Sequence, residues 1–352
     1  MTLAERRSAR RTRVIAVTAV LALAAAVAGI VGGSYETTLA DVRDAVLGTA
    51  SARTSVIVVD MRLPRVLAGL LVGAALGVAG AVFQTLSRNP LGSPDIVGFS
   101  AGSASGALVC LVLLTPPADP ALGAWAGGVG AVLVVLFLTR GAGLASERTI
   151  LAGVALAALL AAANEFLLTR APTEVARSAT IWLFGSLSAT DWGDTALLAV
   201  AGGVLALLLA TQRERLRLLE LGDELATGLG VPVRRTRLVL LLLAAGLTGT
   251  ATAVSGPIGF VALAAPQLAR RATGSAGIPL TASAAIGATL LLASDVLAQR
   301  VLAPLQLPVG LVTGAVGGAY LFWLVARGRR RPAMGQERGL GSFRSARATS
   351  GS

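Results

Sequence analysis

Long apolar stretches recur along this chain, each closed by a short polar segment, and that alternation predicts its elements. Ten apolar segments can be drawn, at about 14–33, 66–86, 96–115, 121–139, 149–169, 194–211, 238–255, 257–269, 278–299 and 307–326. A helix that crosses the hydrocarbon layer needs about 20 apolar residues, within a range of about 17–25. The eighth segment falls short of that. It is cut from the seventh at Gly256-Pro257, which predicts a broken or re-entrant helix covered by its neighbours. The expected fold is all-α, a polytopic membrane protein of about ten transmembrane helices.

The first apolar run follows Arg6, Arg7, Arg10, Arg11 and Arg13. A cleaved signal peptide is one reading of that arrangement. The run is long enough to span and no small-residue cleavage site stands out, so a first transmembrane helix with its basic end in the cytoplasm is preferred. Arginine placement tests the topology. With ten spans, Arg43, Arg53, Arg62, Arg65, Arg170, Arg177 and Arg300 fall outside, and the other 23 of the 30 basic residues fall in cytoplasmic segments. That asymmetry fits the positive-inside rule, with both termini cytoplasmic. It also gives spans two to five and seven to ten opposite orientation, two inverted four-helix halves of the kind transporters use. Residues 1–326 are expected to form one permease domain, and the Arg-, Gly- and Ser-rich stretch 327–352 a disordered cytoplasmic tail.

Composition sharpens the picture. Hydrophobic residues make up 55% of the chain and charged residues 14%, with mean hydropathy +0.77. A soluble domain carries about 25% charge, so this chain has too little to cover a water-facing surface and is assigned to lipid. Its 42 glycines suit close helix packing there. The net charge of +12 is explained by basic cytoplasmic loops rather than by nucleic acid. Every basic residue is arginine. A phosphate-binding P-loop needs its lysine, so any ATP chemistry must come from a partner. Histidine is absent and Cys110 stands alone, which excludes Ser-His-Asp and Cys-His catalysis and an internal disulfide. No catalytic residue, metal ligand or cofactor is expected.

The most informative polar segment is 221–237. It can form one or two short helices broken at Gly222, Gly228 and Gly230, with Pro232 opening the next segment. Asp223 and Glu224 stand where a helix N-terminus favours acid. Short helices between two spans would make a rigid knob able to transmit force to a docked partner. An ordinary cytoplasmic loop is the bland alternative.

At these residues the chain resembles the FecCD-type permeases, membrane subunits of bacterial ABC importers for iron–siderophores, haem and cobalamin. The segment 220–237 resembles their coupling loop. Arg62-Leu63-Pro64-Arg65 with the following apolar run, Asn89-Pro90-Leu91-Gly92-Ser93-Pro94 with Val97-Gly98-Phe99-Ser100-Ala101-Gly102, Gly256-Pro257-Ile258-Gly259-Phe260-Val261 with Pro266 and Arg270, and Asp295 to Arg300 with Leu307-Pro308-Val309-Gly310 match further motifs. Together they cover about residues 62 to 325. One position departs: the family usually has His after Pro266, and this chain has Gln267, which can hydrogen-bond but cannot titrate.

The resemblance implies a permease subunit with two ATPase subunits on the cytoplasmic side, a substrate-binding (lipo)protein outside, and a second copy or a paralogue in the bacterial plasma membrane. It implies ATPase coupling through Leu221, Gly222, Asp223, Glu224, Ala226, Gly228, Leu229 and Gly230. It places Arg62, Arg65 and Arg300 on the outer face as partners for carboxylates of the binding protein. Interface anchoring or local pairs, Arg62 with Asp60 and Arg300 with Asp295, are the alternatives for those arginines. Gln84 either faces the pathway or caps a helix. Asn164 and Glu165 are pathway candidates at membrane depth, unless Glu165 reaches the interface to meet Arg170. The implied cargo is a ferric siderophore, with haem or cobalamin next. The rival functions are an ion-coupled secondary transporter, for which mid-membrane acidic residues are scarce, and a metal-ion permease of another ABC type, against which the missing histidines count.

Overall fold

The computed structural model describes residues 3–33, 35–114, 119–140, 147–303 and 305–328. Helices dominate, and no strand occurs among the described residues. The chain forms two compact units, Met1–Gly314 and Ala315–Ser352. The second contains the later part of the last helix; of the expected tail, residues 329–352 lie outside the described residues.

Among the described residues fourteen α-helices follow in order: α1 (Leu3–Val31), α2 (Leu39–Val46), α3 (Ala52–Ser87, with a π-helical stretch at Val56–Arg62), α4 (Phe99–Leu113), α5 (Pro120–Leu138), α6 (Glu147–Arg170), α7 (Thr173–Leu183), α8 (Trp192–Thr211), α9 (Arg213–Glu220), α10 (Asp223–Gly228), α11 (Val233–Ser255), α12 (Val261–Thr273), α13 (Leu280–Arg300) and α14 (Val309–Gly328). Seven of them, α1, α3, α5, α6, α8, α11 and α13, are long and apolar enough to cross a membrane, and α4 and Val309–Tyr320 of α14 are shorter apolar helices. With α12 these are the ten apolar segments of the sequence. Hydropathy alone gave no sign of α2, α7 and α9, which are short and carry polar residues on one side. The N-terminus of α2 is fixed by a capping box: the Thr38 hydroxyl accepts the Asp41 N–H, and the Asp41 carboxylate accepts the Thr38 N–H.

Helices α3 and α11 form the hub. Their apolar windows are 72% buried, against 6% for α1 and 11% for α6, so the last two present their apolar surface outward. The hub helices run antiparallel. Val82, Phe83 and Leu86 near the end of α3 pack with Leu240 and Leu241 near the start of α11, while Ala68 and Val72 pack with Ala251 near its end. The first helices of the two halves therefore point opposite ways, as the arginine pattern implied.

Small residues decide how closely the helices meet. Gly102 and Gly106 of α4 face Gly127 and Gly123 of α5 so tightly that a Cβ at Gly106 would stand 1.9 Å from the Gly123 carbonyl oxygen. On α3, Gly73 and Gly77 face Gly287 and Ser283 of α13 in the same way. This four-residue spacing of small side chains lets backbones touch where lipid offers no hydrophobic drive to associate.

The short eighth segment has a clear structure. Helix α11 stops at Gly256 (φ 67°), and residues 256–260 leave the helix before Phe260 (φ 68°) starts α12. Ile258 in that stretch packs with Ala68, Val72 and Leu76 of α3, and the Ala262 backbone lies against Gly80, roughly 25 Å along α3 from Leu63 at 1.5 Å per residue. The non-helical stretch thus carries the chain part-way inward, and α12 covers the rest. Arg10 Nε then donates to the carbonyl of Ala272 (2.7 Å) and Arg11 Nη2 to the Thr281 hydroxyl (2.7 Å), so α12 returns the chain to the face that holds the N-terminal end of α1. Irregular backbone is tolerated at this depth because protein surrounds it. Cys110 is buried and unpaired, as expected.

Candidate functional site

Functional groups collect at the two ends of the helix bundle. On the N-terminal face, α9 and α10 form a knob between α8 and α11. The sequence reading placed the helix within 221–229; the structure adds α9 upstream from Arg213. Gly222 (φ 115°) and Gly230 (φ 79°) supply the two turns that bracket α10, conformations that disfavour any side chain. Gly228 is the last residue of α10 rather than a break.

The knob is tied to the bundle at several points. Leu216, Leu219, Ala226 and Val231 enter the core beside Leu86 and Leu240. Asp223 accepts from Arg88 (2.6 Å) at the end of α3 and from Arg237 (2.7 Å) in the first turns of α11. Glu220 accepts the Ile278 N–H (3.2 Å) ahead of α13. These contacts tie the knob to α3, α11 and α13. Arg88 holds a left-handed conformation (φ 50°) that closes α3. On the outward side Leu221, Leu225 and Leu229 are 60%, 60% and 61% exposed. Four-residue spacing puts Leu225 and Leu229 on one side of α10 near Gly228, Leu221 precedes the Gly222 turn, and Glu224 is also exposed.

The three predicted arginines lie together on the opposite face, and each is engaged there. Arg62 donates from Nη1 to the carbonyl of Ile30 (2.7 Å) and the hydroxyl of Thr37 (2.9 Å), and from Nη2 to the carbonyl of Tyr35. It clasps the connection between α1 and α2. Arg65 forms a two-pronged pair with Asp295, with Nη2–Oδ1 at 2.8 Å and Nε–Oδ2 at 3.0 Å, and its Nη1 donates to Gln306 (2.9 Å). The Gln299 amide donates to the second carboxylate oxygen (2.8 Å). The two side chains are 12% and 1% exposed. Arg300 donates one Nη2–H to the carbonyl of Ala28 (3.0 Å) and is otherwise exposed. The local pairs Arg62–Asp60 and Arg300–Asp295 do not form. Asp295 lies on the buried side of α13 and reaches Arg65, 230 residues away in sequence, whereas Arg300 at the exposed helix end does not face it.

Inside the bundle, Gln84 is buried and occupied at both ends of its amide. Nε2 donates to the carbonyl of Leu263 (3.0 Å), and Oε1 accepts from Gln267 Nε2 (2.6 Å). It neither caps a helix nor shows a free face in this chain; it bridges α3 to α12. Replacing Gln84 or Gln267 alone by Leu strands a buried polar group and is expected to cost about 1–3 kcal/mol, while the double replacement is expected to be milder than either single change. Thermal unfolding of the four proteins checks this, and additive losses would show that the pair is not coupled.

On α6, Asn164 is buried with no hydrogen-bond partner for Oδ1, and Glu165 is exposed. Glu165 forms no ion pair with Arg170, whose guanidinium lies 5.3 Å above the Phe166 ring. No group of three or more His, Cys, Asp or Glu side chains suited to a metal occurs among the described residues.

These features, a tethered knob with an exposed leucine row at one end and buried arginine contacts at the other, coincide with a family match. A model of the FecCD transport family matches residues 10–327. The chain belongs to the FecCD transport family. It is 44% identical over 315 residues to the ferric enterobactin transport system permease protein FepG of Escherichia coli, covering 88% of this chain and 96% of that protein. It is 40% identical over 283 residues to the hemin transport system permease protein HmuU of Yersinia pestis, covering 77% and 84% respectively. Among solved structures, an inward-facing metal-chelate-type ABC transporter matches with TM-score 0.77 and 27% identity, over 90% of this chain and 99% of that one. The family is one of ABC permease subunits, and this member is a multi-pass membrane protein built for transport. Relatives serve iron–siderophore, citrate and haem uptake.

Proposed function

We propose that this FecCD member is the permease subunit of an ABC importer that moves a ferric siderophore through the bacterial plasma membrane. Both termini and the α9–α10 knob face the cytoplasm. An ATPase subunit binds the knob, and a second copy of the chain or a paralogue completes the pathway with a second ATPase. The observation that carries this reading is the knob itself. Its outward leucines can enter a groove on a partner, while Asp223 and Glu220 hold it to α3, α11 and α13, so motion of the partner is passed to the bundle. Of the residues assigned to coupling, Leu221 and Leu229 make the contact together with Leu225, which the structure adds, while Gly222 and Gly230 set its shape and Asp223 transmits.

The opposite face receives a substrate-binding (lipo)protein through its arginines. Arg300 is the best placed of the three, because its guanidinium is exposed with one hydrogen bond made and can take a carboxylate bidentately. Arg62 and Arg65 brace the surface around it. Glu165 lies on the uncovered side of α6, where a second copy would turn it toward a shared pathway. A siderophore cargo is favoured by the similarity to a ferric enterobactin permease over nearly its full length; haem is the second reading, carried by the similarity to HmuU.

The test is reconstitution with the ATPase and binding protein of the same system. Leu225→Arg and Asp223→Arg are expected to lower siderophore-stimulated ATP hydrolysis at least tenfold while the permease still folds. Arg300→Glu is expected to weaken binding-protein docking about tenfold. Unchanged hydrolysis with Leu225→Arg would remove the knob from coupling. Uptake of haem but not of a ferric siderophore would reassign the cargo.

A further inference from the structure

Where α8 ends and α11 begins, a cleft of about 290 Å³ opens on the N-terminal face, lined by Gln212, Arg215, Pro232, Arg235, Thr236 and Val239. Its polar wall is cationic and contains no carboxylate. Arg215 donates once to Gln212 (3.1 Å), and Arg235 has no partner among the described residues. Of the acidic groups nearby in sequence, Glu214 pairs with Arg217, Glu220 accepts the Ile278 N–H and Asp223 pairs with Arg88 and Arg237, while Glu224 is exposed and does not line the cleft. Behind the arginines, Thr236 is 1% exposed and its hydroxyl has no hydrogen-bond partner. A buried hydroxyl without a partner, beside a guanidinium with one hydrogen bond and another with none, is an incomplete polar site.

The surroundings say which anion fits. The cleft lies at the same end of two membrane-spanning helices, where the headgroups of one leaflet lie. Leu208, one turn before Gln212, and Leu238 and Leu242, which follow Arg235 along α11, are exposed apolar side chains leading from the cleft toward the span. A free anion would have no use for that strip, whereas acyl chains would. Basic pockets between transmembrane helices on the cytoplasmic side hold anionic headgroups by this combination.

We propose that this cleft binds the phosphate of an anionic phospholipid headgroup between Arg215 and Arg235, with acyl chains along Leu208, Leu238 and Leu242. The inference rests on the membrane-spanning reading of α8 and α11 and does not depend on ATPase coupling. It gives lipid a direct hold on the knob, because Arg215 belongs to α9 and Arg235 is two residues from Arg237, the partner of Asp223.

Native mass spectrometry of the full chain in detergent micelles, titrated separately with dioleoyl phosphatidylglycerol and dioleoyl phosphatidylcholine, tests the site. One phosphatidylglycerol is expected to be retained, and phosphatidylcholine much more weakly. Arg235→Gln alone should weaken retention about fivefold, and Arg215→Gln with Arg235→Gln about 30-fold, at roughly one factor of five per arginine near the surface. Arg213→Gln with Arg234→Gln removes the same charge from exposed positions outside the cleft and should leave retention unchanged. All four positions are exposed, so matching melting temperatures will show that the variants fold. Equal losses in the two double variants, equal retention of both lipids, or undiminished retention in the cleft variant would each overturn the proposal. Displacement of the lipid by millimolar inorganic phosphate would assign the cleft to free phosphate and overturn the lipid assignment. Success or failure here leaves the ATPase-coupling test untouched, since no ATPase is present.

Discussion

Asp295→Ala is expected to destabilise the purified permease by about 3–5 kcal/mol, the usual cost of leaving the partner of a buried ion pair uncompensated. The geometry supports the upper part of that range. Arg65 gives three of its hydrogen bonds to Asp295, whose side chain is 1% exposed. Removing the carboxylate leaves a nearly buried guanidinium with Gln306 as its side-chain partner, and it also orphans the Gln299 amide. The pair links Arg65, in the first half of α3, to the end of α13, so the damage should appear as separation of those helices there. The same physics predicts a rescue. Arg65→Met combined with Asp295→Leu removes both charges and should recover most of the loss, because a buried pair gains little over a well-packed apolar one. Thermal unfolding of the two single variants and the double variant, read as a double-mutant cycle, measures the coupling. Losses below about 1 kcal/mol for Asp295→Ala would show that the pair is not what holds α3 to α13.

Gly80→Ala should be the most damaging glycine-to-alanine change among the described residues. A Cβ at that position would stand 1.7 Å from the carbonyl oxygen of Ala262 and 2.5 Å from its carbon. The obstacle is backbone, so no side-chain rotation relieves it. The start of α12 has little room to retreat, because Phe260 is already held at positive φ and Val261 is fully buried beside Ala68 and Val72. Overpacking a core by a methylene typically costs about 1–3 kcal/mol, and a clash with rigid backbone belongs at or beyond the top of that range. The separation of α3 from α12 would also stretch the Gln84–Gln267 hydrogen bond. Gly202→Ala in α8 has nothing within 4 Å and is the matched control, expected to be neutral or slightly stabilising because alanine suits a helix interior better. The comparison is read from melting temperature and from folded yield in detergent. A Gly80→Ala protein as stable as the control would contradict the closeness of the α3–α12 contact.

Together the two changes probe the two ways this bundle is closed. Small residues let backbones meet along the length of α3, and a desolvated charge pair locks its outer end. Both contacts join α3, in the first half of the fold, to α12 and α13, in the second. The knob end is held differently, by an exposed pair of Asp223 with Arg88 and a half-buried one with Arg237. An ion pair as open to solvent as Asp223–Arg88 contributes only about 0–1 kcal/mol.

The sequence by itself determined the all-α class, the ten apolar segments, the opposite directions of the two hub helices and the place of the knob. Each of these follows from one-dimensional quantities: apolar run length against bilayer thickness, arginine asymmetry across the spans, and glycines where α10 must turn. It also pointed to the broken eighth crossing, because a Gly-Pro step between two apolar runs leaves few other conformations. Tertiary structure alone decided the partners. Arg65 and Asp295 are 230 residues apart, and in sequence Asp295 lies much closer to Arg300; only the antiparallel packing of α3 on α13 turns it to Arg65. Gln84 could not be distinguished from a pathway residue until α12 was laid against α3 and brought Leu263 and Gln267 to both ends of its amide. The amphipathic α2, α7 and α9 escaped the hydropathy reading because their apolar faces are too short to register as spans and acquire a role only where the bundle offers them a surface. Local preferences and solvent set which segments are helices and where they lie; which polar side chains meet is set by long-range packing, and a linear pattern does not encode those distances.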